Sequence, residues 1–557
     1  MTKKEWLVLL LLAVALVLVR APFINVPLER DEGEYACFAW QMTRGVMPYR
    51  DVITYISPGV FFLYQTAFLL FDHTIQGIRS FTLLYLLLTL GLFYYLARKL
   101  LGKQGAWLAG VIFIFLSTDP GILANMSQRE IFASLPLMIS FILLQKDLSS
   151  QRWYFAAGNG LVIALVFMIK PTTIVQLAFV LAVWAWYYIR TKEHRLFWQR
   201  ILWLAAGLAF GISLFVFYFS AQQALADFLY WVFLFPRQQS QAIAAYYPTF
   251  NHVLISFKHH FKYILQNVFV SQLPLGIVLL ASLIITFYKR QKALALYWLW
   301  FMLLLLSTAI GWHFRRQYFQ LLIVPQALLI AWGLQYFYRA LAGKERLAVN
   351  SYRVLVFIMV LYPFVNMMKQ YYFITPNMIS RKLYGPQVFS IARPIGEYIG
   401  SQTTPEDKIY ILGSEPEVYF YSQRFLVGKH ITAYTLTYDY GDPIARQKEV
   451  VQALKTELPL YIIKINQESS LYDYPAVHKK NVIFNEVFDL VNDKYTLVGF
   501  GFINYQKELL AFGRQQVAAY VPGTKTLPEE LAYLYKSFGD YYPAVLIFRL
   551  KKPRGIS

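Results

Sequence analysis

The stretch PLERDEGEYACFAWQMTRGVMPYRDV, residues 27–52, interrupts an otherwise very apolar N-terminal half just after its first hydrophobic run. It sets Glu29, Asp31, Glu32 and Glu34 within six residues, then gives way to Tyr35, Trp40, Gly45, Pro48 and Tyr49. Another apolar stretch opens at Ser57-Pro58. A solvated loop kept soluble by its acids would carry the same residues, so the local pattern alone does not separate chemistry from solubility. The rest of the chain does.

The composition is that of a membrane protein. The 557 residues are 57% hydrophobic and 15% charged, whereas a soluble domain carries about 25% charged residues. Several apolar runs approach or exceed the roughly 18–20 residues that cross a bilayer. A net charge of +21 would suggest nucleic acid in a soluble chain. Here many basic residues sit in short connectors between apolar runs, where membrane orientation explains them and no nucleic-acid partner is implied. The single cysteine, Cys37, leaves neither an internal disulfide nor a cysteine-based metal cluster.

Lys3 and Lys4 before the run 5–21 place the N-terminus on the cytoplasmic side. An uncleaved first span then leads into an external loop over 22–78, whose short apolar run 58–71 reads as an interfacial helix. Further spans are expected at 79–97, 105–118, 131–145, 153–169, 172–188, 201–219, 263–287, 293–310, 318–337 and 353–370. The short apolar run 225–236, closed by Pro236-Arg237, lies in a long external segment. About eleven crossings result, and the basic connectors at 98–103, 146–152, 190–200, 289–292 and 339–346 all fall inside. The chain therefore divides into a polytopic α-helical domain, 1–370, and a charged tail, 371–557. Short β-rich pieces at 408–413, 460–465, 496–501 and 544–550 make the tail an external α/β domain. GSEPEVY at 413–419 puts a glycine just after a strand, as phosphate-binding folds do, but without G-x-G-x-x-G. A structural or acceptor-positioning role suits the tail better.

Ionisable residues in an apolar membrane half need a reason. Three external loops hold the informative ones: the acids of 29–34, Arg129-Glu130 at a helix start, and His313, Arg315 and Arg316 within 311–316. The last cluster lies on the face from which the positive-inside trend should exclude it. Arginine's planar fork pairs with phosphate oxygens, so Arg315 and Arg316 read as a phosphate clamp. His313 stands beside them, either assisting or packed between Trp312 and Phe314, and Lys170 at the outer end of its span either adds a point charge or snorkels to the interface. Acids and phosphate-binding bases on one face suggest group transfer from a phosphorylated lipid. The rival reading, a proton-coupled transporter or a flippase, would need ionisable groups near mid-span, and the apparent spans are poor in them.

DEGEYACFAWQMTRGVMPYRDV followed by YISPGVFFLY resembles the first external loop of lipid-phosphate-dependent membrane glycosyltransferases. These include the protein O-mannosyltransferases and the aminoarabinose transferase of lipid A. The likeness continues at Arg129-Glu130, at Lys170-Pro171 and at HFRRQYFQLLIVP, residues 313–325. It implies a GT-C type fold and transfer of a sugar from a polyprenyl-phosphate donor to a lipid, glycan or protein acceptor, at the outer face of the cytoplasmic membrane. Asp31 matches the catalytic acid of that loop and Glu32 its acidic neighbour, while Glu130 stands at the second loop acid. Tyr35, Gly45, Pro48 and Tyr49 match the loop's structural residues. Lys170, His313, Arg315 and Arg316 would hold the donor phosphate. Several relatives carry Lys-Pro where this chain has Ser57-Pro58, which moves the phosphate contact toward those basic residues. Divalent metals are implicated in parts of the superfamily. No His/Cys cluster here requires one, although paired acids could hold a hard cation.

Overall fold

The computed structural model describes residues 2–557 apart from 239–240, 242–257, 259–269, 311–314, 342, 439–440, 472–481, 539–542 and 552–557. The chain opens with α1 (Lys3–Arg20), α2 (Arg30–Thr43), α3 (Gly59–Leu70) and the long α4 (Ile75–Leu116). Then come α5 (Arg129–Ser150), α6 (Trp153–Ile169), α7 (Val175–Thr191) and α8 (His194–Ala221). After a helical stretch that runs through Pro236 to Gln238, the later helices are α9 (Val270–Tyr288), α10 (Lys292–Ala309), α11 (Ile323–Leu341) and α12 (Arg346–Tyr371).

Each apolar run expected to span is helical over most of its described residues. Seven helical segments among the described residues are long and apolar enough to cross a membrane; α6, α9 and α10 are shorter apolar helices. Their outward faces are apolar, as lipid requires: Leu10, Leu11 and Leu18 of α1 and Leu202, Phe210 and Phe217 of α8 are exposed. The two spans expected over 79–118 form one continuous element broken at Gly102, whose φ of 72° is open to glycine at little cost. That break falls among Arg98, Lys99 and Lys103, the basic connector.

The chain forms two compact units. One comprises Met1–Asn25, Ser57–Tyr218 and Thr249–Ile374. The other gathers Val26–Ile56 and Phe219–Pro248 with the tail, Thr375–Ser557. The acid-bearing loop thus belongs to the same compact unit as the C-terminal α/β domain.

The tail is built on a six-stranded sheet of order β2-β1-β3-β6-β4-β5. The strands are β1 (Lys408–Leu412), β2 (Phe425–Leu426), β3 (Tyr461–Ile465), β4 (Tyr495–Ile503), β5 (Glu508–Phe512) and β6 (Val545–Leu550). β2, β1 and β3 run parallel; β6, β4 and β5 add antiparallel pairs. β1, β3, β4 and β6 lie in the four apolar runs read from the sequence. The helices α13 (Phe389–Ser401), α14 (Glu417–Ser422), α15 (Pro443–Glu457) and α16 (Ile483–Lys494) surround them. The core includes Leu412, Val450, Leu454, Ile462, Val487, Leu497 and Phe548.

The loop is bound into this unit along its length. Gly33 of α2 lies so close to α14 that an added Cβ would sit 2.5 Å from Glu417 Cβ and 2.8 Å from Glu417 N. Trp40 stacks on Phe425 with ring centroids 5.2 Å apart. Leu28 N donates to the Tyr421 hydroxyl at 2.9 Å, and Ile53 N donates to Lys429 O at 2.8 Å. Helix propensity favours alanine over glycine by up to about 1 kcal/mol, but forced overpacking costs about 1–3 kcal/mol. Because the obstructing atoms at Gly33 include backbone, overpacking prevails. Gly33→Ala should lower the thermal unfolding midpoint of the detergent-solubilised protein, whereas Gly45→Ala, which meets nothing within 4 Å, should act only through its backbone angle.

Candidate functional site

α2 begins with Glu29 as its N-cap: the carboxylate accepts from Glu32 N at 3.0 Å, and the Glu29 carbonyl accepts from Gly33 N at 2.7 Å. Asp31 and Glu32 follow in the first turn, where the helix dipole favours negative charge. Asp31 is half-buried; Glu32 is fully buried. Glu34 is also buried and accepts from the Thr54 hydroxyl at 2.6 Å. Residues Glu32 to Gln41 are buried in an unbroken series, so α2 exposes no broad face there.

The loop's remaining residues set its course. Gly45, at φ 85°, ends α2 in a Schellman turn: Gly45 N donates to Met42 O at 3.2 Å and Val46 N to Gln41 O at 3.1 Å. Pro48 bridges to Val52. Tyr49 adopts φ 73° and donates its hydroxyl to Ile56 O at 2.6 Å, with its ring against Phe219 and Phe228. Burial, with the charge of Glu34 nearby, raises the Tyr49 phenol's pKa well above its ordinary value, so it stays a donor. Arg50 holds Asp51 through two 2.8 Å bonds, and these lower the Asp51 pKa. Tyr35 is fully buried.

Glu130 and Lys170 lie in the other unit and meet directly. Glu130, in the first turn of α5, is 1% exposed and accepts through Oε1 from Lys170 Nζ. Lys170 precedes Pro171 and is extended, as the residue before proline tends to be. This breaks the chain between α6 and the turn Pro171–Ile174 and turns the lysine inward, where it is 2% exposed. Its ammonium lies 3.5 Å from the centroid of the Tyr318 ring, a close cation–π geometry. Tyr318 belongs to the turn Arg316–Leu322, at whose start Arg315 is exposed and Arg316 half-buried. His313 lies outside the described residues.

The loop between α4 and α5 is held by donors from elsewhere in the chain. Arg20 donates to Ser117 O at 2.8 Å, Ala124 O at 2.8 Å and Asn125 O at 3.0 Å. Arg79 donates to Ser127 Oγ and Tyr64 to Ser127 O, both at 2.8 Å. Gln320, from the Tyr318 turn, donates to Ile122 O at 2.9 Å. This connects the loop before Glu130 with the arginine-bearing turn.

Sequence reading therefore marked Glu130 and Lys170 but missed their contact, and it missed Tyr318, Arg20 and Arg79. A lone arginine inside or ending an apolar run, as at positions 20 and 79, was the available signal. Among the described residues no group of three or more His, Cys, Asp or Glu side chains is disposed to hold a metal ion.

Residues 56–257 match the model of the dolichyl-phosphate-mannose-protein mannosyltransferase family. No match was found among curated protein sequences. The fold is similar to the crystal structure of ArnT from Cupriavidus metallidurans in the apo state. There the TM-score is 0.55 at 13% identity, over 92% of this chain and 98% of that one. It is likewise similar to ArnT from the same organism bound to undecaprenyl phosphate, with a TM-score of 0.53 at 13% identity over 84% of this chain and 94% of that one.

Removing one partner from a buried ion pair costs about 3–5 kcal/mol, because the other charge stays buried. Lys170→Met should destabilise the protein by about that much, and adding Glu130→Gln should restore most of the loss. Thermal unfolding of the two variants in detergent checks this; a double variant as unstable as the single one would disprove the pairing energetics.

Proposed function

From a chain with the GT-C fold of lipid-phosphate-dependent membrane glycosyltransferases, we propose a transferase that moves a sugar from a polyprenyl-phosphate donor to an acceptor at the outer face of the cytoplasmic membrane. The reading rests chiefly on one coincidence. A family-model match starting at residue 56 directly follows a loop whose Asp31 stands in the first turn of a rigidly capped helix. The similarity to an ArnT structure that binds undecaprenyl phosphate supports the donor class.

Asp31 is the general base. It takes the proton from the acceptor hydroxyl as that oxygen attacks the anomeric carbon, with inversion, while the bond from that carbon to the phosphate oxygen breaks. Polyprenyl phosphate leaves with the electron pair. Arg315 and Arg316 are assigned to its phosphate oxygens, where forked donors stabilise the charge that develops. Glu32, fixed by the capping turn, supports Asp31. Lys170 has its charge engaged by Glu130 and its ammonium stacked on Tyr318. It reaches a phosphate only if it exchanges the carboxylate for it, so the pair is assigned to holding the turn that carries the arginines. The acceptor class and the sugar are open choices within this chemistry: a hexose or a pentose, onto protein, lipid or glycan.

General-base catalysis contributes about 10²–10⁴-fold. Asp31→Asn should therefore lower kcat at least about 100-fold, with little change in donor KM. The measurement is transfer from a panel of labelled polyprenyl-phosphate sugars by the full chain in detergent. Full activity in Asp31→Asn would overturn the base assignment. Absence of any transfer by the unaltered protein, with solute flux in liposomes, would overturn the glycosyltransferase reading in favour of transport.

A further inference from the structure

Arg30, the residue before Asp31, is the first residue of α2, and its side chain enters the C-terminal domain. Its Nε donates to Ser414 O at 2.6 Å and its Nη2 to Glu415 Oε1 at 2.9 Å. The guanidinium lies 5.4 Å from the Phe389 ring centroid and 5.3 Å from that of Tyr434, so it has two aromatic neighbours. Its side chain is 15% exposed and that of Glu415 is fully buried.

The receiving pocket is built in advance. Glu415 Oε2 accepts from Ser414 N at 2.8 Å and bonds the Ser470 hydroxyl, which leaves Oε1 directed at Arg30. Ser414 N also donates to Ser470 Oγ at 2.9 Å, and the Tyr434 hydroxyl donates to Ser469 O at 2.5 Å. These residues come from two places in the sheet: Ser414 and Glu415 follow the carboxyl end of β1, and Ser469 and Ser470 follow that of β3. β1 and β3 are adjacent parallel strands, and β1's next connection leads away to β2 on its other side. In open α/β sheets a ligand binds in the crevice beyond the carboxyl ends of the strands, where the strand order changes direction. In this chain that crevice holds Arg30.

The geometry points to the C-terminal domain using its ligand crevice as a receptor for the chain's own Arg30, which makes Arg30 and Glu415 positioning residues for Asp31. A nucleotide or free phosphate is a poor alternative occupant, because the pocket presents a carboxylate and a carbonyl, both acceptors. It suits a guanidinium. With Arg30 captured on one side of α2's first turn and Gly33 pressed against Glu417, the turn that carries Asp31 has little freedom to rotate. The catalytic part of this inference rests on the proposed transferase activity; the capture itself does not.

Two mild variants of the full chain in detergent test both parts. Glu415→Gln keeps the shape and removes the charge; Arg30→Lys keeps the charge and removes the fork. In each, amide hydrogen exchange over residues 30–43 should speed up at least tenfold while β3 keeps its protection. In each, kcat for transfer from labelled polyprenyl-phosphate sugars should fall at least tenfold, with donor KM within about twofold of the parent. Combining the two should cost scarcely more than either, because they break one contact. Unchanged exchange over 30–43 in both variants would overturn the capture. Faster exchange with unchanged kcat would overturn the positioning role. Faster exchange in a protein whose parent form transfers no sugar would uphold the capture and sink the transferase reading instead.

Discussion

A charge taken out of water persists in a fold only where a partner has been built for it, and this constraint organises the polar parts of the chain. Arg20 is buried because three loop carbonyls need donors. Glu130 and Lys170 are buried together. Asp147 and Arg200 make a further buried pair at 3.0 Å between α5 and α8, and Arg30 is matched to Glu415 in the tail. Hydrophobic matching to lipid fixes where the spans run but says little about the loops between them. The loops take a single course because each buried charge accepts few alternatives.

The loop between α4 and α5 shows how this works. Between α4 and α5 the chain leaves regular helix, so its carbonyls lose their helical donors. A buried loop in that state is costly unless donors arrive from elsewhere. Arg20 and Gln320 bring them from parts of the chain about 100 residues before and 200 residues after. Glu130 follows immediately, so its position inherits the rigidity of the clamp. The same residues that satisfy the backbone therefore also place an acid.

What could be read from the sequence follows from whether the signal is local. Apolar runs, capped helix starts and positive connectors are local, and the helices and four of the six strands lie where those patterns put them. β2, of two residues, and β5, an edge strand whose sequence ELLAF mixes charge with apolar residues, offer no such pattern. The bond between the acid-bearing loop and the tail is not local at all: Arg30 and Glu415 are 385 residues apart. Arg30 carried no reading of its own among the four acids, and GSEPEVY looked like a weak phosphate loop. Only the structure shows that they are the two halves of one contact. Glu130 and Lys170 were each marked from the sequence, yet their pairing was equally invisible, because the helices that bring them together are set by packing rather than by spacing.

Holding an acid-bearing helix in a folded domain has a consequence that a lipid-lying loop would lack. A helix at a membrane surface keeps its tilt and rotation only as well as the headgroups allow. α2 is fixed instead by a Schellman turn at one end, an N-cap and an arginine at the other, and a glycine contact too close for any larger residue. General-base chemistry is sensitive to displacements of about 1 Å. For the proposed base, Asp31, this anchoring limits rotation of the turn that carries it. Glu417 shows the strain that this close approach imposes. Its carboxylate is buried without a hydrogen-bond partner among the described residues, and burial with Glu415 nearby pushes its pKa well above the ordinary range. The acid that holds Arg30 is Glu415, through Oε1 at 2.9 Å, while Glu417 beside it supplies the close packing against Gly33.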